Sequence, residues 1–269
     1  MNQANTEIEK TGIIVIQSLE EESDRLTGTE LEQDVLQYKP YKHKNSFVRL
    51  YNAENKEKFI SILKCIEGDM KEGEIFTLHF ETHGNIDGID LASGERISWA
   101  EFYDCIRPIN IKMAGLLLVV MSMCVGAATL THIEPHERAP YRAFIGSYRN
   151  MEEDELARGF AAFYEEYTNM LDIEKGMKAL KNELTSEKEP NGPFWIFTCE
   201  AIFDATFNAD RDPKAFAKLV DRTYQTQKMR GIDCTRQSIE EEIRNHFEEM
   251  KKYKPYFCFE DLYSQENKI

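Results

Sequence analysis

The chain has 269 residues, with 33 basic and 48 acidic side chains and a formal net charge of −15 at pH 7. This charge argues against nucleic acid and anionic membrane surfaces as main partners, because both bind to basic protein surfaces. Hydrophobic residues make up 42% of the chain, which excludes a disordered protein.

The first residues and the longest apolar run predict a cytoplasmic protein. Residues 1–10, MNQANTEIEK, are polar and lack the hydrophobic segment of a signal peptide. The apolar run from Met113 to Ala128 is interrupted by glycine and serine and is shorter than the roughly 20 residues that span a bilayer. We therefore expect a cytoplasmic location with reduced thiols.

The sequence predicts no metal and no cofactor. Its six cysteines include no CxxC pair, which argues against a zinc ribbon and a thioredoxin-type redox pair. His132 and His136 have a spacing that binds metals on a helix, but Pro135 lies between them and disfavours that helix. The chain also has no P-loop and no GxGxxG motif, so phosphoryl transfer and dinucleotide chemistry are poorly supported.

Strand and helix patterns alternate over the first 150 residues. Apolar runs predict strands at Gly12–Leu19, Phe47–Tyr51, Glu74–Glu81, Gly115–Met123 and Tyr141–Tyr148. Helical spacing predicts helices at Glu30–Gln37 and Asn55–Ile66. A third helix is predicted to begin at Ser98, which forms a capping box with Glu101, and the small residues Gly126-Ala127-Ala128 predict the start of a fourth. Such alternation predicts an α/β fold, a mainly parallel sheet flanked by helices.

The last third of the chain has the pattern of helices alone. The predicted helices are Asp154–Leu171, Ile173–Leu184, Phe194–Phe207, one that follows an Asp212 cap, and Ser238–Tyr253. The polar segment 186–193, which contains two prolines and a glycine, is the predicted linker. We therefore predict a domain at residues 12–185 and a helical C-terminal region at residues 194–269.

Two reactive side chains follow predicted neighbouring or nearly neighbouring strands. His83 follows the third strand and Cys124 follows the fourth. Functional residues of parallel sheets gather at the carboxyl ends of the strands, so we expect these two side chains to lie close together. Alone, a cysteine after an apolar strand is more often a core residue, and a histidine beside a glycine more often lies in a turn. Their conjunction favours a site.

A thiol and an imidazole are the groups that a cysteine hydrolase needs. Cys124 would be the nucleophile, and His83 would be the base for attack and the acid for the leaving amine. The backbone N–H groups of Gly84 and Cys124 are the candidate oxyanion hole. Glu81 shares a strand face with His83 and is a candidate for orienting it, although residues two apart on a strand stand about 6–7 Å apart.

Several segments resemble a known family. They are IIVIQSL at 13–19 followed by Thr27-Gly28, IFTLHFETHG at 75–84, DGIDLASGERISWAEF at 87–102, LLLVVMSMCVGA at 116–127 and YRAFIGSYRNMEEDELARGFAAFYEEY at 141–167. With these segments the chain resembles the caspase-like cysteine peptidases, specifically the compact bacterial type known as CHAT domains, over about residues 12–180. The resemblance implies a caspase-like fold, with His83 as base and Cys124 as nucleophile.

The resemblance also implies a biological role. Stand-alone bacterial relatives often act as effectors in antiviral defence or cell death, switched on by a partner protein or a small signalling molecule. The implied enzyme is a cysteine endopeptidase, a thiol protease, that cleaves a protein or peptide substrate. The helical region after Pro193 is where we expect its control, through a ligand pocket or a homo-oligomer contact.

The sequence leaves the substrate and two other classes of function open. Arg142 and Arg149, near the fifth strand, are candidate substrate-binding residues for acidic side chains, whereas an acidic pocket would prefer Lys or Arg. A non-catalytic ligand-sensing or scaffold module with the same fold is the main alternative. A cysteine-dependent amidase or transpeptidase that acts on small amides is a third reading.

Overall fold

The computed structural model describes residues 8–38, 46–126 and 134–263. The chain divides into two compact units, the first made of residues 1–132 and 140–198 and the second of residues 133–139 and 199–269.

The first unit contains strands and helices in alternation. Its described strands are β1 (Lys10–Ser18), β2 (Ser46–Asn52), β3 (Glu74–Asn85), β4 (Gly88–Asp90), β5 (Arg96–Ser98), β6 (Leu118–Ser122), β7 (Ala143–Ser147) and β8 (Phe194–Thr198). Its described helices are α1 (Thr27–Glu30), which a π-helical turn at Leu31–Leu36 continues, α2 (Lys56–Asp69), α3 (Trp99–Lys112), α4 (Glu153–Met170) and α5 (Ile173–Leu184).

The central sheet is mainly parallel, as the sequence predicts. Its strand order is β2-β1-β3-β6-β7-β8, in which β8 alone of the described strands on this path runs antiparallel to its neighbour. Parallel sheets are covered by helices on both faces, so their strands read as nearly continuous apolar runs. The predicted α/β class, a parallel sheet flanked by helices with a helical C-terminal region, is therefore confirmed.

Aromatic side chains of β3 alternate between two packed layers. Phe80 stacks on Phe59 of α2 at a ring-centroid distance of 5.8 Å and meets Phe102 of α3 edge-on at 5.1 Å. His79, the preceding residue, points to the opposite face, where its ring meets Phe160 and Tyr164 of α4. Successive side chains of a strand point to opposite faces, which explains why neighbouring residues serve two different cores.

The end of β3 leaves the parallel sheet and forms a hairpin. Residues 83–85 pair with β4 in antiparallel register, and β4 pairs in turn with β5. Ser98, the last residue of β5, forms the predicted capping box with Glu101 at the start of α3. This hairpin carries His83 beyond the edge of the main sheet.

The second unit is helical in the part of it that the structure describes. Its helices are α6 (Cys199–Thr206), α7 (Pro213–Met229), α8 (Arg236–Met250), α9 (Lys254–Phe257) and α10 (Glu260–Tyr263), with a 3-10 turn at Lys251–Tyr253. Asp212 caps α7 as predicted, because its side chain accepts from the N–H groups of Lys214 and Ala215.

The helix predicted at Phe194–Phe207 is wrong in its first part. Phe194–Thr198, FWIFT, forms β8, and a helix begins only at Cys199. A short apolar run has no periodicity that separates a strand from a buried helix, and the aromatic and β-branched residues of FWIFT favour the strand. The second unit, apart from its residues 133–139, begins at Cys199. This start lies after the predicted linker at residues 186–193.

Among the helices that the structure describes, none is both long and apolar enough to cross a bilayer. The cytoplasmic location stays a prediction.

Candidate active site

The structure places His83 and Cys124 at the ends of directly adjacent strands. β3 pairs with β6 in parallel register, in which Glu81 lies opposite Ser122. His83 lies two residues beyond Glu81, and Cys124 lies two residues beyond Ser122. Neighbouring strands are about 4.8 Å apart, so both residues emerge from the same edge of the sheet within a short distance.

Gly84 brings the hairpin backbone against the turn that carries Cys124. A Cβ atom added at Gly84 would lie 2.4 Å from the Met123 Sδ and 3.1 Å from the Cys124 carbonyl oxygen. Only a residue without a side chain allows this approach unless the neighbouring groups shift. Gly84 and Cys124, the two predicted oxyanion-hole residues, are thus neighbours in space. Whether their N–H groups converge on a substrate oxygen stays a prediction.

The turn after β6 holds the Cys124 side chain half-buried. The Met151 N–H donates to the Cys124 Sγ at 3.3 Å, and the Sγ lies 3.7 Å from the Met151 carbonyl oxygen. Val125 adopts a φ of 52°, a left-handed conformation that is uncommon for a β-branched residue, and its N–H donates to the Arg149 carbonyl. The segment before α4 therefore fixes this turn. The helix predicted after Gly126 falls on residues 127–133, outside the described part of the chain.

His83 is oriented by a carboxylate that the sequence does not single out. Its side chain is 55% exposed, and its Nε2 donates to the Asp24 Oδ2 at 3.0 Å. The same Asp24 oxygen accepts from the Glu20 N–H at 2.8 Å. Partial burial alone would raise the pKa of Asp24, but these two hydrogen bonds and the nearby imidazole lower it below its usual value. Within the described chain, the Nδ1 of His83 has no hydrogen-bond partner.

Glu81 orients a different histidine. The His79 Nε2 donates to the Glu81 Oε1 at 2.7 Å, and the His79 Nδ1 accepts from the Tyr164 hydroxyl at 3.0 Å. The second Glu81 oxygen accepts from the Thr27 hydroxyl at 2.7 Å. Both Glu81 oxygens are therefore occupied under the sheet, and the idea that Glu81 orients His83 is wrong.

The two predicted catalytic side chains do not contact each other through a hydrogen bond in the described part of the chain. Asp24 binds the imidazole, and the Met151 backbone binds the sulfur. Catalytic hydrogen bonds are often loose without a substrate and tighten when one is bound, so this geometry leaves the pairing open.

The two arginines considered for substrate binding lie in different places. Arg149 follows β7 at the same edge as Cys124, but its guanidinium is bonded to Glu155 and Glu189. These carboxylates raise the pKa of Arg149, so its guanidinium stays positively charged, and their negative charges offset that positive charge. Arg142 precedes β7, so it lies at the amino edge of the sheet, away from Cys124. Both placements weigh against binding of an acidic substrate side chain.

An acidic cavity opens at the carboxyl ends of β1 and β2. Its volume is about 360 Å³, and it is lined by Gln17, Ser18, Leu19, Glu20, Glu21, Asn52, Ala53, Glu54 and Ala92. The chain leaves this cavity at Glu21 and reaches Asp24, the partner of His83, three residues later. Three glutamates at its wall favour a cationic ligand group.

The two histidines whose spacing was weighed and set aside as a metal site are only partly described. His132 lies outside the described residues, and His136 is exposed, with its ring 4.2 Å from that of Tyr253.

Comparison with models of protein families and with curated proteins finds no match. Asp24 and the Met151 backbone are the parts of the site that sequence reasoning missed, because both approach their partners from distant parts of the chain.

Proposed function

We propose that the protein is a cysteine endopeptidase in which Cys124 and His83 form a catalytic dyad. His83 accepts the thiol proton while the Cys124 sulfur attacks the peptide carbonyl carbon. The same proton passes to the leaving amine as the C–N bond breaks, which leaves a thioester. His83 then takes a proton from water, whose oxygen attacks the thioester carbon and releases the acid and the thiol.

The adjacency of β3 and β6 supports this proposal most directly. The register between Glu81 and Ser122 brings an exposed imidazole and a half-buried sulfur to one sheet edge, and Gly84 lies against the Cys124 carbonyl. Cys124 is only partly buried as a residue. A nucleophile and a base that follow neighbouring strands can act on one substrate carbonyl at the shared edge of the sheet.

Asp24 adds a third group to the dyad. A carboxylate that accepts from one ring nitrogen of His83 fixes the ring orientation and leaves the other nitrogen available to the thiol. Asp24 is held in turn by the Glu20 backbone, so it is itself preorganised. We assign it a positioning role.

The acidic cavity supports a preference for basic substrates. Glu20, Glu21 and Glu54 line a space large enough for a long side chain, close to the loop that carries Asp24. A Lys or Arg side chain would gain charge–charge attraction there, whereas Arg149 is already neutralised by its own partners. We therefore propose cleavage next to a basic residue.

The proposal includes regulation by a partner protein or a small signalling molecule, as the family resemblance implies for an effector in antiviral defence or cell death. Asp24 binds the imidazole and Met151 binds the sulfur, so the two reactive groups are held by separate segments. An activator that moves the segment around Met151 would free the sulfur to meet the imidazole.

Labelling with electrophilic peptides tests the proposal even when the enzyme awaits an activator. We expect a peptide with a Lys or Arg next to its electrophile to modify Cys124, located by mass spectrometry, and a peptide library to show cleavage after the same residues. Cys124→Ala should abolish labelling and cleavage, and Cys65→Ala, which removes an exposed thiol of α2, should change neither. Cleavage that persists in Cys124→Ala would overturn the proposal.

A non-catalytic ligand-sensing or scaffold module is the second candidate function. The observation that favours it is the hydrogen bond from the Met151 N–H to the Cys124 sulfur, which gives this thiol a structural role in the turn. In that case Cys124→Ala would lower stability, and Cys124 would react with electrophiles no faster than Cys65.

A further inference from the structure

Three side chains with metal-binding chemistry meet in the second unit. Cys199 begins α6, Glu200 follows it, and Cys258 follows α9. One ligand atom from each lies within 4.8 Å of the other two. Both cysteines are about 1% exposed and neither forms a disulfide. Among the described histidine, cysteine and acidic residues, no other group of three meets this distance.

The spacing of these atoms suits a tetrahedral zinc ion. The Cys199 Sγ lies 3.4 Å from the Glu200 Oε2. Zinc–sulfur and zinc–oxygen bonds of about 2.3 and 2.0 Å at a tetrahedral angle separate the two ligand atoms by about 3.5 Å. The pair therefore needs almost no rearrangement to share one ion.

The two cysteines lie in apolar surroundings. Phe203, Phe257 and Phe259 pack around the two cysteines in one apolar cluster. A divalent cation bound by both sulfurs would compensate the two thiolate charges in these apolar surroundings.

We propose that Cys199, Glu200 and Cys258 bind one zinc ion. Each thiol gives up its proton on binding, the carboxylate supplies the third ligand, and water fills the fourth tetrahedral position. Thiolates select zinc over magnesium and calcium, which prefer oxygen ligands. The ion joins two segments 59 positions apart (258 − 199), so it stabilises the fold of the second unit. This site is separate from the dyad and does not depend on the peptidase proposal.

Cobalt is the probe, because its spectrum reports thiolate ligation. Full-length protein, reduced and stripped of metal, is titrated with Co²⁺. We expect one bound ion per chain, with a thiolate-to-cobalt charge-transfer band and the visible bands of tetrahedral cobalt, all displaced by Zn²⁺. Cys199→Ser and Cys258→Ser should each lose most of the charge-transfer intensity, and Glu200→Gln should change the visible bands. Cys65→Ser, at an exposed thiol outside the cluster, should bind as the unmodified chain does.

X-ray absorption of the zinc-loaded, unmodified protein provides a measurement that needs no variant. The proposal predicts two sulfur neighbours at about 2.3 Å. Zinc without sulfur neighbours, or cobalt bands that persist in both cysteine variants, would overturn it. So would a Cys199–Cys258 disulfide in the isolated protein together with no cobalt binding after reduction.

Discussion

Two histidines four residues apart on β3 meet opposite environments. His79 lies under the sheet, is completely buried, and has both ring nitrogens bonded, to Glu81 and Tyr164. His83 lies beyond the edge of the sheet, is 55% exposed, and has one ring nitrogen bonded to Asp24. The same residue type on the same strand face thus serves structure in one place and is available for chemistry in the other.

The difference teaches what makes a histidine available for proton transfer. A buried imidazole with two hydrogen-bond partners cannot exchange its proton with a substrate without breaking that hydrogen-bond network. Removing such an imidazole by mutation leaves its buried carboxylate partner unpaired. An exposed imidazole with one hydrogen-bond partner is held in a fixed orientation by that partner, and its other ring nitrogen can accept or donate a proton in the reaction. Position relative to the sheet edge separates the two roles.

The largest expected effects come from replacing each histidine in turn. His79→Ala should lower the free energy of unfolding by about 3–5 kcal/mol, because it leaves the buried Glu81 carboxylate without its main partner. His83→Ala should lower peptide cleavage by at least about 100-fold through loss of general acid–base catalysis. Urea unfolding and a cleavage assay on both variants measure the two effects.

The two variants also control for each other. His83→Ala should unfold at nearly the same urea concentration as the unmodified protein, because its side chain is exposed. A large loss of stability in His83→Ala, with no loss of cleavage, would reverse the roles assigned to the two histidines.

A smaller effect is expected from Gly84, where the hairpin meets the Cys124 turn. The new Cβ of Gly84→Ala would collide with the Met123 sulfur and crowd the Cys124 carbonyl, at a cost of about 1–3 kcal/mol. Gly68→Ala is a matched control, because nothing lies within 4 Å of its added Cβ in α2. That control should be neutral or stabilising by up to about 1 kcal/mol. Equal stabilities of the two variants in urea unfolding would contradict the close approach.

The smallest effect on stability is expected from Asp24→Asn, at about 1 kcal/mol. The pKa of Asp24 is lowered in the folded protein, so its carboxylate stabilises the fold above its unfolded pKa of about 3.9. That contribution is lost as the pH falls through the lower folded pKa. The variant should therefore be less stable than the unmodified protein at pH 7, and the difference should be smaller at about pH 3 in thermal unfolding.

In the proposed mechanism Asp24 orients His83 and does not bind the substrate, so Asp24→Asn should also lower kcat more than it changes KM. A stability difference that is the same at both pH values, or a KM effect alone, would contradict the positioning role.

Much of the sheet could be predicted from local pattern. The apolar runs of β1, β3 and β6 are typical of strands buried on both faces, and the Ser98–Glu101 capping box marks the start of α3. The strand-end rule then placed His83 and Cys124 at one edge, and their strands are adjacent in the structure.

The partners of the site residues could not be predicted, because they come from distant parts of the chain. Asp24 reaches His83 across 59 positions, from a polar segment with no periodic pattern. Cys199 and Cys258 are as far apart and have no motif spacing. Glu81 is the nearest carboxylate to His83 in sequence, but its two oxygens are already bonded to His79 and Thr27.

The rate at which a peptide electrophile modifies Cys124, with and without His83, tests the proposed dyad most directly. Mass spectrometry can follow Cys124 and the exposed Cys65 in the same sample, so that Cys65 serves as an internal control. We predict that Cys124 reacts much faster than Cys65, and that His83→Ala slows only Cys124, by about 100-fold. Equal rates at Cys124 in both proteins would contradict the dyad.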